Sequence, residues 1–355
     1  AVPDQGQTSS EGEDFSNELL LDFESADGNL TGVAGLYFRE IDEDIDFRFA
    51  GADTILQDEK SSVGVFTELT YRLNDQWDVT GGLRYQRDSQ KRTGTILSGS
   101  PLERTVNFDE TFDAVLPRFA IGYEPNEDWR FSFLASKGYN PGGLGVSAGI
   151  LFTAPGKDPV FLFEQEEVWN YELAARANLL NDTLTLTANL FFSDFNDAQR
   201  STVTNVPGFG PDEIVRNAES ARSYGLEFFA DYRPNDRLQL NGGFGLLNTE
   251  IRQFDAALSA ITGNDFAFAP DFTASFGIDY EVVDNLTIGG QVRFNSGYFS
   301  DDANTPSLEV DSFTIVDLRA SYALDNGGEI YAFVNNLTDQ VVATHIIPGT
   351  NEVAE

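Results

Sequence analysis

The chain has 355 residues, 58 acidic against 22 basic side chains, a net charge of −36, 13 % aromatic residues, and neither Cys nor Met. Without Cys there is no disulfide scaffold, thiolate metal site or thiol nucleophile. So acidic a surface does not suit nucleic acid, whose phosphates need cations. At 41 % hydrophobic the chain is too apolar for a disordered acidic tail, and no apolar run is long enough for a transmembrane helix.

Residues 1–14 are expected to be an acidic loop or disordered start. From there the sequence alternates with period two, the mark of a ribbon with one apolar and one polar face. Strands are predicted at 15–23, 30–40, 62–73, 77–86, 117–125, 129–137, 167–178, 183–195, 223–233, 237–247, 271–282, 285–295 and 314–324. In 183–195, Leu184, Leu186, Ala188, Leu190 and Phe192 share one face, and Thr185, Thr187, Asn189 and Ser193 the other. In 271–282, Phe272, Ala274, Phe276, Ile278 and Tyr280 oppose Thr273, Ser275, Asp279 and Glu281.

Short polar turns punctuate these strands at Asp27-Gly28-Asn29, Asn74-Asp75-Gln76, Asn126-Glu127-Asp128, Asn181-Asp182, Asn235-Asp236, Asp284-Asn285 and Asn326-Gly327. Asn, Asp and Gly tolerate the positive φ of tight hairpins. Long connections rich in Gly, Pro, Ser, Asp and Asn are expected at 41–60, 88–112, 139–166, 196–222, 251–268 and 298–312. Short and long connections alternate, so all short turns lie at one end of the strands. This is the pattern of an outer-membrane barrel of about fourteen antiparallel strands, with short periplasmic turns and long extracellular loops. Tyr71, Tyr123, Tyr232, Tyr280 and Tyr322 precede short turns, and Trp77 and Trp129 follow them, where an interfacial aromatic belt belongs. The strands are long for a soluble sandwich or propeller, whose strands run about 5–6 residues.

Five segments then resemble the barrel of TonB-dependent outer-membrane receptors. Leu30-Thr31-Gly32-Val33-Ala34-Gly35-Leu36-Tyr37-Phe38-Arg39-Glu40 is similar to the family's GLYY-R-E strand, and Pro117-Arg118-Phe119-Ala120-Ile121-Gly122-Tyr123-Glu124-Pro125 to its PR-G-Y-P strand. Ser136-Lys137-Gly138-Tyr139-Asn140-Pro141-Gly142-Gly143 resembles its S-G-(F/Y)-P-GG segment. Glu166-Glu167-Val168-Trp169-Asn170-Tyr171-Glu172-Leu173 resembles its E---NYE-G strand, and Asn335-Asn336-Leu337-Thr338-Asp339 its NL-D box. The resemblance implies a location in the bacterial cell outer membrane and no enzymatic activity. It implies energy-coupled uptake of a scarce solute: a ferric siderophore, cobalamin or an oligosaccharide. The expected partners are TonB, a plug domain, outer-membrane lipid and lipopolysaccharide, and a small-molecule or chelate ligand. The family barrel has 22 strands and a plugged lumen. The whole chain, 1–355, is therefore expected to be a barrel portion incomplete at both ends. The alternative is a passive fourteen-strand porin or fatty-acid channel.

Substrate contacts are expected in the long loops. Tyr139 and Asn140, with Phe152, Phe161 and Phe163 further on, offer ring and amide groups. Arg200 and Arg216 bracket another loop and suit an anionic chelate. The polar strand face carries Glu68, Arg84, Arg118, Arg130, Glu172, Asp279, Arg293 and Arg319, expected to form cross-strand ion pairs in a wet lumen. The run Asp42-Glu43-Asp44-Ile45-Asp46 lacks the ligand order of a calcium loop and is expected to be a solvated connection. His345 has no evident acid or nucleophile beside it, and no metal site or cofactor is expected.

Overall fold

The computed structural model describes residues 7–49, 52–147, 158–206, 210–254, 261–346 and 353–354. Its elements begin with β1 (Gln7–Glu24), β2 (Leu30–Phe49), β3 (Ala52–Arg72), β4 (Trp77–Ser98), β5 (Arg104–Asn126), β6 (Trp129–Asn140), β7 (Gly143–Val146) and β8 (Val160–Phe163). They continue with β9 (Glu166–Leu179), β10 (Leu184–Val206), β11 (Gly210–Asn235), β12 (Leu238–Phe254), β13 (Phe272–Val283) and β14 (Leu286–Asn295). The last are β15 (Tyr298–Phe299), β16 (Glu309–Val310), β17 (Phe313–Ala323), β18 (Glu329–Val334), β19 (His345–Ile346) and β20 (Val353–Ala354).

Fourteen of these form one antiparallel sheet in the order β1-β2-β3-β4-β5-β6-β9-β10-β11-β12-β13-β14-β17-β18. Each strand pairs with the next wall strand in the chain. Among the described residues β1 and β18 do not pair, so the wall is an arc rather than a closed ring. Four of the seven short turns place expected residues at positive φ, namely Gly28, Asn181 with Asp182, Asn285 and Gly327; the turns at Asn74, Asn126 and Asn235 instead use the Asn Oδ1 to accept backbone N–H groups two or three residues on. Three smaller ribbons, β7–β8, β15–β16 and β19–β20, lie in the connections at the opposite end.

The wall is built inside out relative to a soluble sheet. Large apolar side chains stay exposed on one face, among them Leu36, Val65, Leu83, Phe119, Leu173, Leu190 and Phe276. Aromatic rings mark both margins of the apolar band. Trp77 stacks on Tyr123 near the short turns. At the far margin Tyr171, Phe192 and Tyr224 follow one another across β9, β10 and β11 at ring separations of 6.4 and 6.5 Å. From Tyr224 to Tyr232 along β11 is about 26 Å at strand rise, or about 20 Å of height for a strand tilted by about 40°, somewhat less than the roughly 25 Å of an outer-membrane apolar band. On the inner face ion pairs cross the ladder. Arg293 meets Asp317 at 2.8 Å and Arg130 meets Asp78 at 2.9 Å, and Arg118–Glu68 and Arg319–Asp279 repeat the theme. The expected polar lumen is therefore lined by self-neutralising pairs.

Two expectations are corrected. Residues 7–14 belong to β1, paired from Gln7↔Arg48 to Asp14↔Ile41, rather than to a loop; residues 1–6 lie outside the described residues. The connections expected at 41–60, 88–112 and 196–222 are mostly strand: β2, β3, β4, β5, β10 and β11 run far past the apolar band.

In these extensions the polarity of the two faces is reversed. On β2 the apolar side chains in the band are even-numbered (Leu36, Phe38), whereas Ile45 above it is odd. On β5 they switch from Val115 and Phe119 to Val106, Phe108 and Phe112. The ladders β2–β3 and β4–β5 are continuous between Phe38 and Ile45 and between Phe112 and Val115, so the residue pattern, not a bulge, makes the change. Leu56, Ile96, Leu97, Val106, Phe108 and Leu144 are buried together, with Ile45, Phe112, Val146 and Val160 against them. The loop ribbon β7–β8 thus covers the inner face of the protruding hairpins. Asp42, Asp44 and Asp46 point the other way, into water.

Candidate functional site

The site is the extracellular mouth, where the connections fold back over the wall. Its first anchor is an ion pair within the apolar core of the extensions. Arg92 donates to both oxygens of Asp58, each at 2.5 Å, and its remaining nitrogen donates to the carbonyl of Leu144 at 3.1 Å. Asp58 is 1 % exposed. Burial alone would raise its pKa, but the Arg92 guanidinium and the Lys60 ammonium together hold it below the ordinary carboxylate range. The pair ties β3, β4 and the β7 ribbon into one unit.

Two amide side chains form the second anchor. Gln199 Nε2 donates to the carbonyls of Pro141 and Glu164 at 2.9 and 3.1 Å, and its backbone N–H donates to Glu166 Oε2 at 2.7 Å. Asn217 Oδ1 accepts from the Glu164 N–H at 2.7 Å, while its Nδ2 donates to the Glu164 and Asp197 carbonyls. Burial pushes the Glu166 carboxyl up. These residues were not legible in the sequence, because each partner lies tens of residues away.

The expected contact residues divide. Tyr139 and Asn140 are neighbours on β6 and so present opposite faces. The unbroken β6–β9 register puts Tyr139 on the face of Phe131 and Phe133, which is the lipid-facing side continued upward, and not on the lumen side. Asn140 is on the lumen side, and its amide donates to Gln199 Oε1 at 2.9 Å. Phe152 lies outside the described residues. Phe161 lies under Arg216, 5.1 Å from the guanidinium carbon to the ring centroid.

Arg200 and Arg216 are brought side by side as direct partners in the β10–β11 ladder. Asp197 and Glu219 drop out of that ladder, with Asp197 at φ 52°. This irregularity re-aims the side chains beyond it. Phe195, Ala221, Ala198 and Ala218 consequently all feed one buried cluster, with Ile251 and Ile261, although their numbers change parity. Arg200 and Arg216 follow on that inner face. Arg200 donates to Asp302 at 3.0 and 2.6 Å and lies 3.9 Å from the Phe266 ring centroid. His345 meets the edge of Phe268 at 5.1 Å. Among the described residues no group of His, Asp and Glu is arranged to hold a metal ion.

Comparison with known proteins matches this architecture. The family model for the β-barrel of TonB-dependent receptor-like proteins covers residues 2–337. The metal-pseudopaline receptor CntO of Pseudomonas aeruginosa is 24 % identical over 293 residues, 82 % of this chain and 38 % of that protein. The pesticin receptor of Yersinia pestis is 26 % identical over 307 residues, 83 % of this chain and 42 % of that protein. Among solved structures, the ferric yersiniabactin uptake receptor FyuA from Yersinia pestis superposes with a TM-score of 0.78 at 20 % identity, over 96 % of this chain and 51 % of that one. The siderophore receptor PiuA from Acinetobacter baumannii gives 0.77 at 16 %, over 96 % and 54 %. The chain thus spans about half the length of the solved relatives, and less of the curated ones.

Proposed function

We propose that this chain, which belongs to the family of TonB-dependent receptor-like β-barrels, supplies the wall and mouth of an outer-membrane receptor for energy-coupled uptake of a scarce chelate. The observation that carries this reading is the mouth itself. Its connections are folded inward over the lumen and pinned by Asp58–Arg92, Gln199 and Asn217, as suits a binding surface rather than an open pore. The names of the relatives point to metal chelates: CntO is a metal-pseudopaline receptor and FyuA takes up ferric yersiniabactin. In this proposal Asn140, Arg200 and Arg216 are the contacts facing the solute, with Phe161 beside them. Tyr139 serves the outer girdle.

The lumen would hold a plug domain, and TonB would pull on it from the periplasm. The exposed apolar band would meet outer-membrane lipid, with the acidic outer face of the extensions at the level of lipopolysaccharide headgroups. A passive fourteen-strand porin shares the strand count but not the family match or the folded mouth. The test is uptake of a ferric chelate into cells by the complete receptor, with and without its TonB-contacting segment. Uptake lost on deletion supports the reading, and uptake unchanged refutes it.

A further inference from the structure

Three connections at the mouth are stitched into one body. Between β12 and β13, Asn264 Nδ2 donates to the Asp302 carbonyl at 3.0 Å, Ala267 N–H donates to Asp302 Oδ1 at 2.8 Å, and Phe268 N–H donates to the Phe299 carbonyl at 2.9 Å. Asn304 Oδ1 accepts from Asp265 N–H at 2.8 Å, and its Nδ2 donates to the Asp265 carbonyl at 3.0 Å. The β19 segment joins through Ile346 N–H to Ser300 Oγ and through Tyr298 Oη–H to the Thr344 carbonyl. This body meets β10 at Arg200, which grips Asp302 with both ends of its fork and lies on Phe266. Asp302 is 3 % exposed and stands 102 residues from Arg200.

The partner that Asp302 neutralises is half of a pair. Arg216 stands directly opposite Arg200 in the ladder, and like charges so placed repel. Among the described residues Arg216 meets a ring, Phe161, but no carboxylate. Removing the Asp302 carboxylate would leave two guanidiniums on facing ladder positions, with only the Coulombic influence of Glu166 on Arg200 to offset them, a receiver for a further anion.

We infer that Arg200 and Arg216 form an anion site whose built-in occupant is the Asp302 carboxylate, and that a carboxylate-bearing solute entering it releases the stitched body as a single lid. The ligand class is a small polycarboxylate or its metal chelate. This deepens the uptake reading and rests on it only for the identity of the solute. Exchange of one carboxylate group for another at Arg200 keeps its guanidinium paired throughout, so the desolvated arginine is never left without a counter-charge.

The test uses the complete receptor in detergent, with Asp302→Asn, which keeps the acceptor for Ala267 N–H but removes the charge. Hydrogen–deuterium exchange is expected to rise at least tenfold in 261–270 and 298–305 together, with β13 and β14 unchanged. Affinity for free citrate, the probe, is expected to rise severalfold at low salt. Adding Arg216→Gln to Asp302→Asn is expected to abolish that gain without restoring slow exchange. A rise confined to 298–305, or a citrate affinity unchanged or weaker in Asp302→Asn, would overturn the inference. Neither readout involves transport, so it can fail while the uptake reading stands, and the reverse.

Discussion

The lower and upper halves of the long strands share one ladder and obey opposite rules. Below, in the apolar band, Leu36, Val65 and Phe119 face outward and ion pairs such as Arg118–Glu68 face inward. Above, Ile45, Leu56 and Phe108 face inward under β7, and Asp42, Asp44 and Asp46 face outward. The solvent on each side explains the difference. Lipid can take no unpaired charge but needs no further driving force to accept Leu. Above the membrane both faces meet water, so the apolar side must find protein to cover it, and the loop ribbon provides that cover. The same backbone register serves both halves because side-chain direction is fixed by parity alone.

The largest expected effect comes from exchanging the rules. Leu190→Arg places a charge on the lipid side and should destabilise the barrel by about 2–4 kcal/mol if it sits near the bilayer midplane. It is measured as urea unfolding in phospholipid vesicles. Asp44→Arg, the same new side chain on the outer face of the extension, should cost nothing measurable. Equal costs at the two positions would erase the distinction between the halves.

Next is the buried pair that pins the upper half. Asp58→Asn leaves Arg92 without its partner and should cost about 3 kcal/mol. The loss should appear as faster hydrogen exchange in β3, β4 and β7, with the apolar band unaffected. The pH dependence has a definite sign. The folded carboxylate titrates below its unfolded value, so its stabilisation is complete above about pH 4 and fades as pH falls through the folded pKa. Acid exchange measurements should show this fading in the parent chain and not in Asp58→Asn.

A smaller effect is expected at the acidic face. Glu13 and Asp42 stand directly opposite each other on β1 and β2, where like charges repel, while the next acid in the row, Glu59, is paired with Lys91. Asp42→Asn should therefore stabilise the extension by roughly 0.5 kcal/mol, with a gain that shrinks as salt is added. The smallest effect is expected in the lumen. Arg293→Gln breaks a pair whose arginine is 55 % exposed, and unfolding should shift by less than about 1 kcal/mol.

Much of the wall was legible in the sequence because it depends on neighbours in the chain. Period-two alternation in 183–195 and positive-φ residues such as Asn181 and Asn285 are local signals, and they locate the turn-side end of the strands well. The extensions were not legible for a physical reason. In 41–47 the alternation persists, but Asp and Glu are poor strand formers and Glu43 adds an acid on the inner side, so the run resembles a loop. What makes it a strand is cover from β7, a hundred residues away. The candidate site is legible only in part. Asn140, Arg200 and Arg216 could be picked out by chemistry, but the irregularity at Asp197 that turns the arginines inward, and Asp302 that meets one of them, are products of tertiary structure.

The reversal of faces can be measured directly, because the chain contains no Cys to interfere with site-directed labelling. Nitroxides placed singly at positions 34 to 47 of β2 in the bilayer-embedded complete receptor would report collision with oxygen and with a water-soluble nickel chelate. Even positions from 34 to 38 should favour oxygen, even positions from 40 to 46 should favour nickel, and 45 and 47 should be shielded from both. Oxygen-favoured even positions continuing through 46, or nickel-accessible labels at 45 and 47, would contradict the account.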